Sequence, residues 1–409
     1  MAYVWIAGMG FFPLDEELGL LPGKLTPYGH ERLVRLSSWV PFEKAAELFE
    51  DFMGIKVSKD VSQRYSEEAG AMYEQIQKEK AEEIQKKMPR ATAKPNKMQV
   101  SADGAMVPLL HGVWAEVKTL VIGEVQPAVQ KHGESVVRTR NLSYFSRKAS
   151  SEEFERLSLV EMHRRGVENA KEVAAVMDGA EWEQNFIDYH CPKAVRILDF
   201  AHAAEHINQI GEFLHGEHTP ESKAWLEKHL HQLKHAGPKK MLLEFQKLQR
   251  QHPQEQTVTG HLAYLKKREK QIQYPTFQAQ GWPIGSGIVE SGNKLVVEAR
   301  LKGSGMHWAQ AHVNSMLALR NIVCSDRWQE EWPKIEARIR KQRFIKQEEP
   351  QPSISSGTDA LLLILKEKLG TDPLPSDLSS IPQKTKPNRW RNFKHGKALY
   401  QPNEDRPKL

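Results

Sequence analysis

Three short segments, far apart in the chain, each set one acidic residue beside glycine or a small turn residue: Ser101-Ala102-Asp103-Gly104, Met177-Asp178-Gly179-Ala180 and Gly285-Ser286-Gly287-Ile288-Val289-Glu290-Ser291. The first two acids close apolar, β-prone runs, and the third opens a long amphipathic stretch. Two strand-end aspartates and one helix-borne glutamate suit a two-metal phosphoryl-transfer site. There, divalent cations roughly 3.5–4 Å apart are bridged by hard oxygen ligands that hold the attacking and leaving oxygens in line. Either Asp-Gly pair taken alone also reads as an ordinary turn. The Gly-Ser-Gly before Glu290 adds backbone amides at a helix start, which face an anion well.

The elements that must position these acids follow from pattern. Residues 26–90 read as helices: Thr26-Pro27 opens the first, Pro41-Phe42 the second, Gly54 ends that one, and Ser58 caps a third. A helix-turn-helix outline around Ile55 to Tyr65, able to place a helix in a major groove, competes with a plain helical hairpin. Beyond a charged, proline-containing boundary at 80–95 the period changes. Met98–Leu110, Trp114–Val125 and Ser135–Ser143 read as consecutive strands, followed by a helix from Ser151, a strand Lys171–Met177, a helix Trp182–Tyr189 and a strand Ala194–Phe200. Three strands, helix, strand, helix, strand is the order of an RNase H-like core.

The expected fold is therefore α/β, with an RNase H-like core at 96–202 and 286–345. An all-α insertion at 203–285 interrupts it, and a helical, DNA-binding domain at 26–92 precedes it. Residues 1–25 form a lead segment. Proline and serine accumulate in a tail at 346–409, broken by one short helix at Asp359–Leu369.

Composition narrows the partners. The 58 Lys and Arg exceed the 52 Asp and Glu, for a net charge of +6, a balance compatible with a polyanion. Cys191 and Cys324 are too few for a disulfide framework or a cysteine-rich zinc site, which fits a reducing compartment. No apolar run approaches the roughly 20 residues that span a bilayer, and the N-terminus lacks the basic leader of a signal peptide. The expectation is a cytoplasmic, nucleoid-associated protein with no membrane partner.

Six segments occur together: Phe11-Phe12-Pro13-Leu14-Asp15-Glu16-Glu17-Leu18-Gly19-Leu20, the Ser-Ala-Asp-Gly ending at Gly104, Asp178-Gly179-Ala180-Glu181-Trp182, Ile197-Leu198-Asp199-Phe200-Ala201-His202, the segment Gly285 to Glu290, and Arg300-Leu301-Lys302-Gly303-Ser304-Gly305-Met306-His307-Trp308. On these the chain resembles the ISKra-type bacterial insertion-sequence transposases of the Mutator-like DDE superfamily. The resemblance implies that Asp103, Asp178 and Glu290 are the catalytic, metal-binding acids for two Mg²⁺ or Mn²⁺ ions, and that Asp199 and His202 form the superfamily's additional Asp-x-x-His signature. Asp199 also closes a strand and stands as the alternative second ligand; His202 is a candidate catalytic residue. The resemblance further implies DNA cleavage at terminal inverted repeats, attack of the freed 3′-OH on target DNA, and a homo-oligomer that holds two ends. Relatives often carry a cysteine-paired zinc ribbon ahead of the Phe-Pro-Leu-Asp segment. This chain has no paired cysteines there, so a catalytically decayed, DNA-binding remnant is one alternative reading.

Two further groups carry readings of both kinds. His202-Ala203-Ala204-Glu205-His206 spells the H-x-x-E-H signature of a zinc peptidase, but the expected strand end at this point puts it outside a helix. Arg300 and Lys302 are candidates to grip DNA phosphates and Trp308 to stack on an unpaired base. Equally, Trp308 reads as a core residue of an amphipathic helix running to Ile322.

Overall fold

A computed structural model describes residues 25–131 and 134–348, together with two three-residue strands, β1 (Val4–Ile6) and β2 (Met9–Phe11), which pair antiparallel. The described residues belong to one compact unit, Met1–Glu348. Most of the expected lead segment, at 12–24, and the tail at 349–409 with its expected short helix lie outside them.

The molecule is mixed α/β around a five-stranded sheet. Its strands are β3 (Lys97–Pro108), β4 (Trp114–Val125), β7 (Thr139–Arg147), β8 (Glu172–Met177) and β9 (Val195–Leu198), in the order β7-β4-β3-β8-β9. The first three run antiparallel; β8 and β9 join parallel to β3. Alternation explains why the sheet is covered on both sides. Met98, Val100, Ala102, Ala175 and Met177 face one layer, where Phe154 and Leu157 of α4 (Ser151–Arg164) and Phe186 and Ile187 of α5 (Glu181–His190) complete the core. Phe154 is fully buried there, and Phe154→Ala should cost about 3–5 kcal/mol.

The opposite face is covered in two halves. Ala105, Val107, Val117 and Val121 pack against Val289, Val296, Val297 and Leu301, from the helical run that begins with α11 (Gly287–Gly292), and against Val313 of α12 (Gln310–Cys324). Ala174, Val176, Ile197 and Leu198 pack against the inserted helices α6 (Phe200–His215), α7 (Pro220–Ala236), α8 (Pro238–Gln251), α9 (Gln256–Lys267) and α10 (Tyr274–Ala279). The insertion thus closes one half of the sheet's core. It is not an appendage.

The N-terminal helices α1 (Pro27–Trp39), α2 (Phe42–Met53) and α3 (Lys59–Lys87) start and stop where caps demand: Oγ1 of Thr26 accepts from the Gly29 amide, Oγ of Ser58 from the Val61 amide, and Gly54 ends α2 at φ 66°. They are not an independent body. Leu33, Phe49, Tyr65 and Tyr73 share a core with Leu319 and Ile322 of α12 and Trp328 and Ile335 of α13 (Trp328–Glu348). Near its other end α3 sends Ala81 into the sheet's core, so this 29-residue helix crosses the expected boundary at residue 80.

Three expected elements shift. The third strand begins at Thr139, because Ser135 and Val136 belong to a separate ribbon of β5 (Val129–Lys131) and β6 (Glu134–Val136). The strand expected to reach Phe200 ends at Leu198, since Asp199 caps α6 instead. The helix expected from Trp308 begins at Gln310, because Trp308 bridges the backbone of Leu109. Among the described residues no helix is long and apolar enough to cross a membrane.

Candidate active site

Strand register brings the acids together. The parallel pairing of β3 with β8 ends at Val100 opposite Ala175; carried on in register, it sets Asp103 opposite Asp178. The pairing of β8 with β9 ends at Met177 opposite Leu198 and sets Asp178 opposite Asp199. Neighbouring strands lie about 4.8 Å apart, so Asp178 is the middle member of the row and the one next to Asp103. Asp103 shares its face with Ala105 and Val107, and Asp178 shares its face with Ala174 and Val176. The pair therefore sits at the seam between the two halves of the helical cover.

Glu290 reaches this seam through α11. A Cβ on Gly292 would lie 2.6 Å from Cγ2 of Val121 and 3.3 Å from the Tyr144 ring, so only glycine lets this helix rest directly on the sheet. Nδ2 of Asn293 donates to Oδ2 of Asp103 at 2.9 Å. Glu290 precedes Asn293 by three residues and shares its side of the helix. From Asn293 to Glu298 the helix widens into a π-helix. The buried Arg320 holds carbonyls there: Nε donates to Val296 at 3.1 Å, a terminal nitrogen donates to Leu295, and the other reaches Ser38 at 2.9 Å. π-Helical turns of this kind recur at functional sites.

Electrostatics mark the same place. Burial, and then the nearby Asp178 and Glu290 carboxylates, push the Asp103 carboxyl up, against hydrogen bonds from the Gly104 amide and Asn293. Glu183 is fully buried one turn beyond Asp178. Burial and then Asp178 push its carboxyl up to about 10, although its Oε2 accepts from the Gly179 amide at 2.9 Å. Glu183 is a protonated neighbour of the site. An unsolvated carboxylate beside like charges holds its proton.

The donor chemistry fits hard divalent cations. Carboxylate oxygens suit Mg²⁺ or Mn²⁺, and the Asp103 carboxyl, raised by burial first and by the Asp178 and Glu290 charges after it, lies where a cation would offset those like charges. Among the described residues no three His, Cys, Asp or Glu side chains already stand close enough to hold an ion. Glu290 is exposed on its helix.

Asp199 is spent differently. It is 6% exposed, and its two oxygens accept from the amides of His202 (3.0 Å) and Ser286 (2.8 Å), joining the starts of α6 and α11. The H-x-x-E-H run, expected outside a helix, lies inside α6. Nδ1 of His202 stands 3.3 Å from Oε2 of Glu205, while Nδ1 of His206 lies 2.8 Å from Nδ1 of His261, a hydrogen-bond distance.

The expected DNA contacts divide. Arg300 is 1% exposed, donates to the Ser37 carbonyl at 2.9 Å and lies over the Phe42 and Trp308 rings. Trp308 is 5% exposed and donates its indole N–H to the Leu301 carbonyl at 3.1 Å. Both are buried where the helical N-terminal segment meets the core. Lys302 is exposed and paired with Glu298 at 3.1 Å.

Two residues at the site escape sequence reading. Glu183 carried a signal, being the third residue of its helix and placed to reach back to a preceding amide in the manner of a capping box. Asn293 carried one only relative to Glu290, as the next residue on its side of the helix.

A search of curated proteins finds no match for the chain. Residues 14–334 match the model of an uncharacterised protein family, UPF0236, and with most of its length covered the chain belongs to that family.

Proposed function

We propose that this chain is a DDE-type transposase of an insertion sequence, with Asp103, Asp178 and Glu290 as its catalytic acids. The observation that carries the reading is the register that, carried on past Val100–Ala175, sets Asp103 within β3 beside Asp178 just past the end of parallel β8, with Glu290 one turn before the asparagine bonded to Asp103. The sheet order β7-β4-β3-β8-β9, with parallel strands entering after an antiparallel meander, is that of an RNase H-like core and supports it. So does the resemblance to ISKra-type transposases.

Asp103, Asp178 and Glu290 would hold two Mg²⁺ or Mn²⁺ ions. Such ions supply Lewis-acid activation of an oxygen nucleophile and neutralise charge at the phosphate being transferred. The chain's own residues do the rest. Asn293 fixes the rotamer of Asp103, the Ala180 amide donates to Oδ1 of Asp178 at 2.8 Å, and Glu183 stays protonated so that it adds no further negative charge. The partners are DNA, as element ends and target, and further copies of the chain that hold two ends together. His202, half-buried beside the Asp199 cap, is placed to move a proton or seat the strand. His202→Ala should slow cleavage on the order of 10²–10⁴-fold; wild-type rates would leave it a packing residue.

The test is strand cleavage and transfer on the DNA that flanks the gene. Activity should require Mg²⁺ or Mn²⁺, disappear with EDTA and survive a zinc-selective chelator. Sequence-specific binding without cleavage in any metal would favour the decayed remnant. One tightly bound zinc per chain, lost in His206→Ala and accompanied by peptide hydrolysis, would replace the reading with a peptidase.

A further inference from the structure

We propose that Tyr264 and Arg268, at the C-terminal end of α9, are positioning residues that hold the Asp178 turn for metal binding, so that the inserted helices help build the active site; this rests on the reading of Asp178 as a ligand. Asp178 lies one residue past the end of β8, where the sheet ladder no longer fixes the backbone. The phenol of Tyr264 donates to the Asp178 carbonyl at 2.6 Å, and the guanidinium of Arg268 donates to the Gly179 carbonyl. From the other side Glu183 takes the Gly179 amide, and the Asp178 carboxylate takes the Ala180 amide. Both carbonyls and both following amides of the turn are thus held, and the two carbonyls are held from the insertion alone.

The fit is close. Gly179 has φ +89°, and a Cβ there would lie 2.5 Å from Nε of Arg268, 2.7 Å from Oη of Tyr264 and 2.9 Å from Cδ1 of Leu198. Only glycine meets both the left-handed backbone and the lack of space. The clamp is itself braced. Arg268 lies 3.6 Å from the centre of the Tyr264 ring, and the His206 ring stacks on it at 3.8 Å with an interplanar angle of 12°. Two groups so near cannot share one face, so the phenol is sandwiched. The contact between His206 and His261 then ties α6 to α9. A carboxylate that ligates a metal needs its backbone held to within a fraction of an ångström, and a supporting layer that loosens costs affinity by about 10–100-fold in well-studied sites.

The experiment uses the full chain, Mn²⁺ as probe followed by electron paramagnetic resonance, and amide hydrogen exchange at Gly179 and Ala180. Tyr264→Phe removes one hydroxyl, Arg268→Gln the charge and fork, and Arg268→Lys restores a cationic donor. Tyr264→Phe and Arg268→Gln should each weaken Mn²⁺ binding about three- to tenfold and speed exchange at both amides, with Arg268→Lys in between. Thermal unfolding should move by only a few degrees. Wild-type affinity and exchange in both Tyr264→Phe and Arg268→Gln would overturn the proposal. If Asp178→Asn binds Mn²⁺ as wild type does, the two-metal reading fails instead, and exchange alone then decides whether the clamp holds the turn.

Discussion

The turns after β8 and β9 begin alike and end differently. Each places an aspartate one residue past a parallel strand, at the same level of the sheet, before a helix. At Asp199 the carboxylate is consumed: both oxygens cap helix starts, and the side chain acts as a joint. At Asp178 the backbone is consumed, by Tyr264, Arg268 and Glu183, while the carboxylate spends one oxygen on the Ala180 amide. A rigid turn whose carboxylate makes one backbone bond suits chemistry. A carboxylate with both oxygens in backbone bonds suits architecture.

The largest effects should fall on catalysis. Asp103→Asn and Glu290→Gln should each lower strand cleavage by at least about a thousandfold, as expected when a ligand of a metal-dependent phosphoryl-transfer site is lost. Circular dichroism and the unfolding midpoint should stay near wild type, because an amide at position 103 still offers an oxygen to Nδ2 of Asn293 and Glu290 is exposed. Retained cleavage in either variant would return that residue to a structural role.

Asp199→Ala should act in the opposite way. It removes two charge-assisted bonds to buried amides, worth roughly 1.5–3 kcal/mol each at most, and one of these is the cap of α6, typically about 1 kcal/mol. A loss of about 2–4 kcal/mol in urea unfolding is expected. An unchanged midpoint would show that the joint is not needed.

Glu183→Gln sharpens the comparison through pH. The carboxyl, normally near 4.5, is held up at about 10 in the folded chain. The folded state keeps a proton that the unfolded chain releases, so this contribution to stability is complete below about pH 4.5 and declines as pH rises towards 10. Measured in EDTA, the variant should lose that decline and gain stability relative to wild type above neutral pH. Parallel pH profiles for the two proteins would mean that Glu183 is charged in the fold.

Much of this was legible in the chain, for identifiable reasons. Period-two runs through Asp103 and up to Met177 marked both strands, because alternating apolar residues must face cores on both sides of the sheet. Gly285-Ser286-Gly287 marked the start of the glutamate helix. Domain structure was less legible. The helices at 26–92 read as separate because their apolar residues form one stripe each, and nothing local shows that Tyr65 and Tyr73 meet Trp328 and Leu319 more than 240 residues away. The burial of Arg300 was hidden for the same reason: its partners, Ser37 and Phe42, lie far back in the chain. The clamp on Asp178 joins residues 86 and 89 positions apart. It has no local signature.

The most direct test of the account is a side-by-side assay of Asp178→Asn and Asp199→Asn for Mg²⁺-dependent strand transfer on the DNA flanking the gene, with rates normalised to folded protein. Asp178→Asn should be inactive while keeping wild-type stability, and Asp199→Asn should be less stable yet transfer strands within about tenfold of wild type per folded molecule. Transfer retained in Asp178→Asn and lost in folded Asp199→Asn would contradict the account and make Asp199 the second ligand.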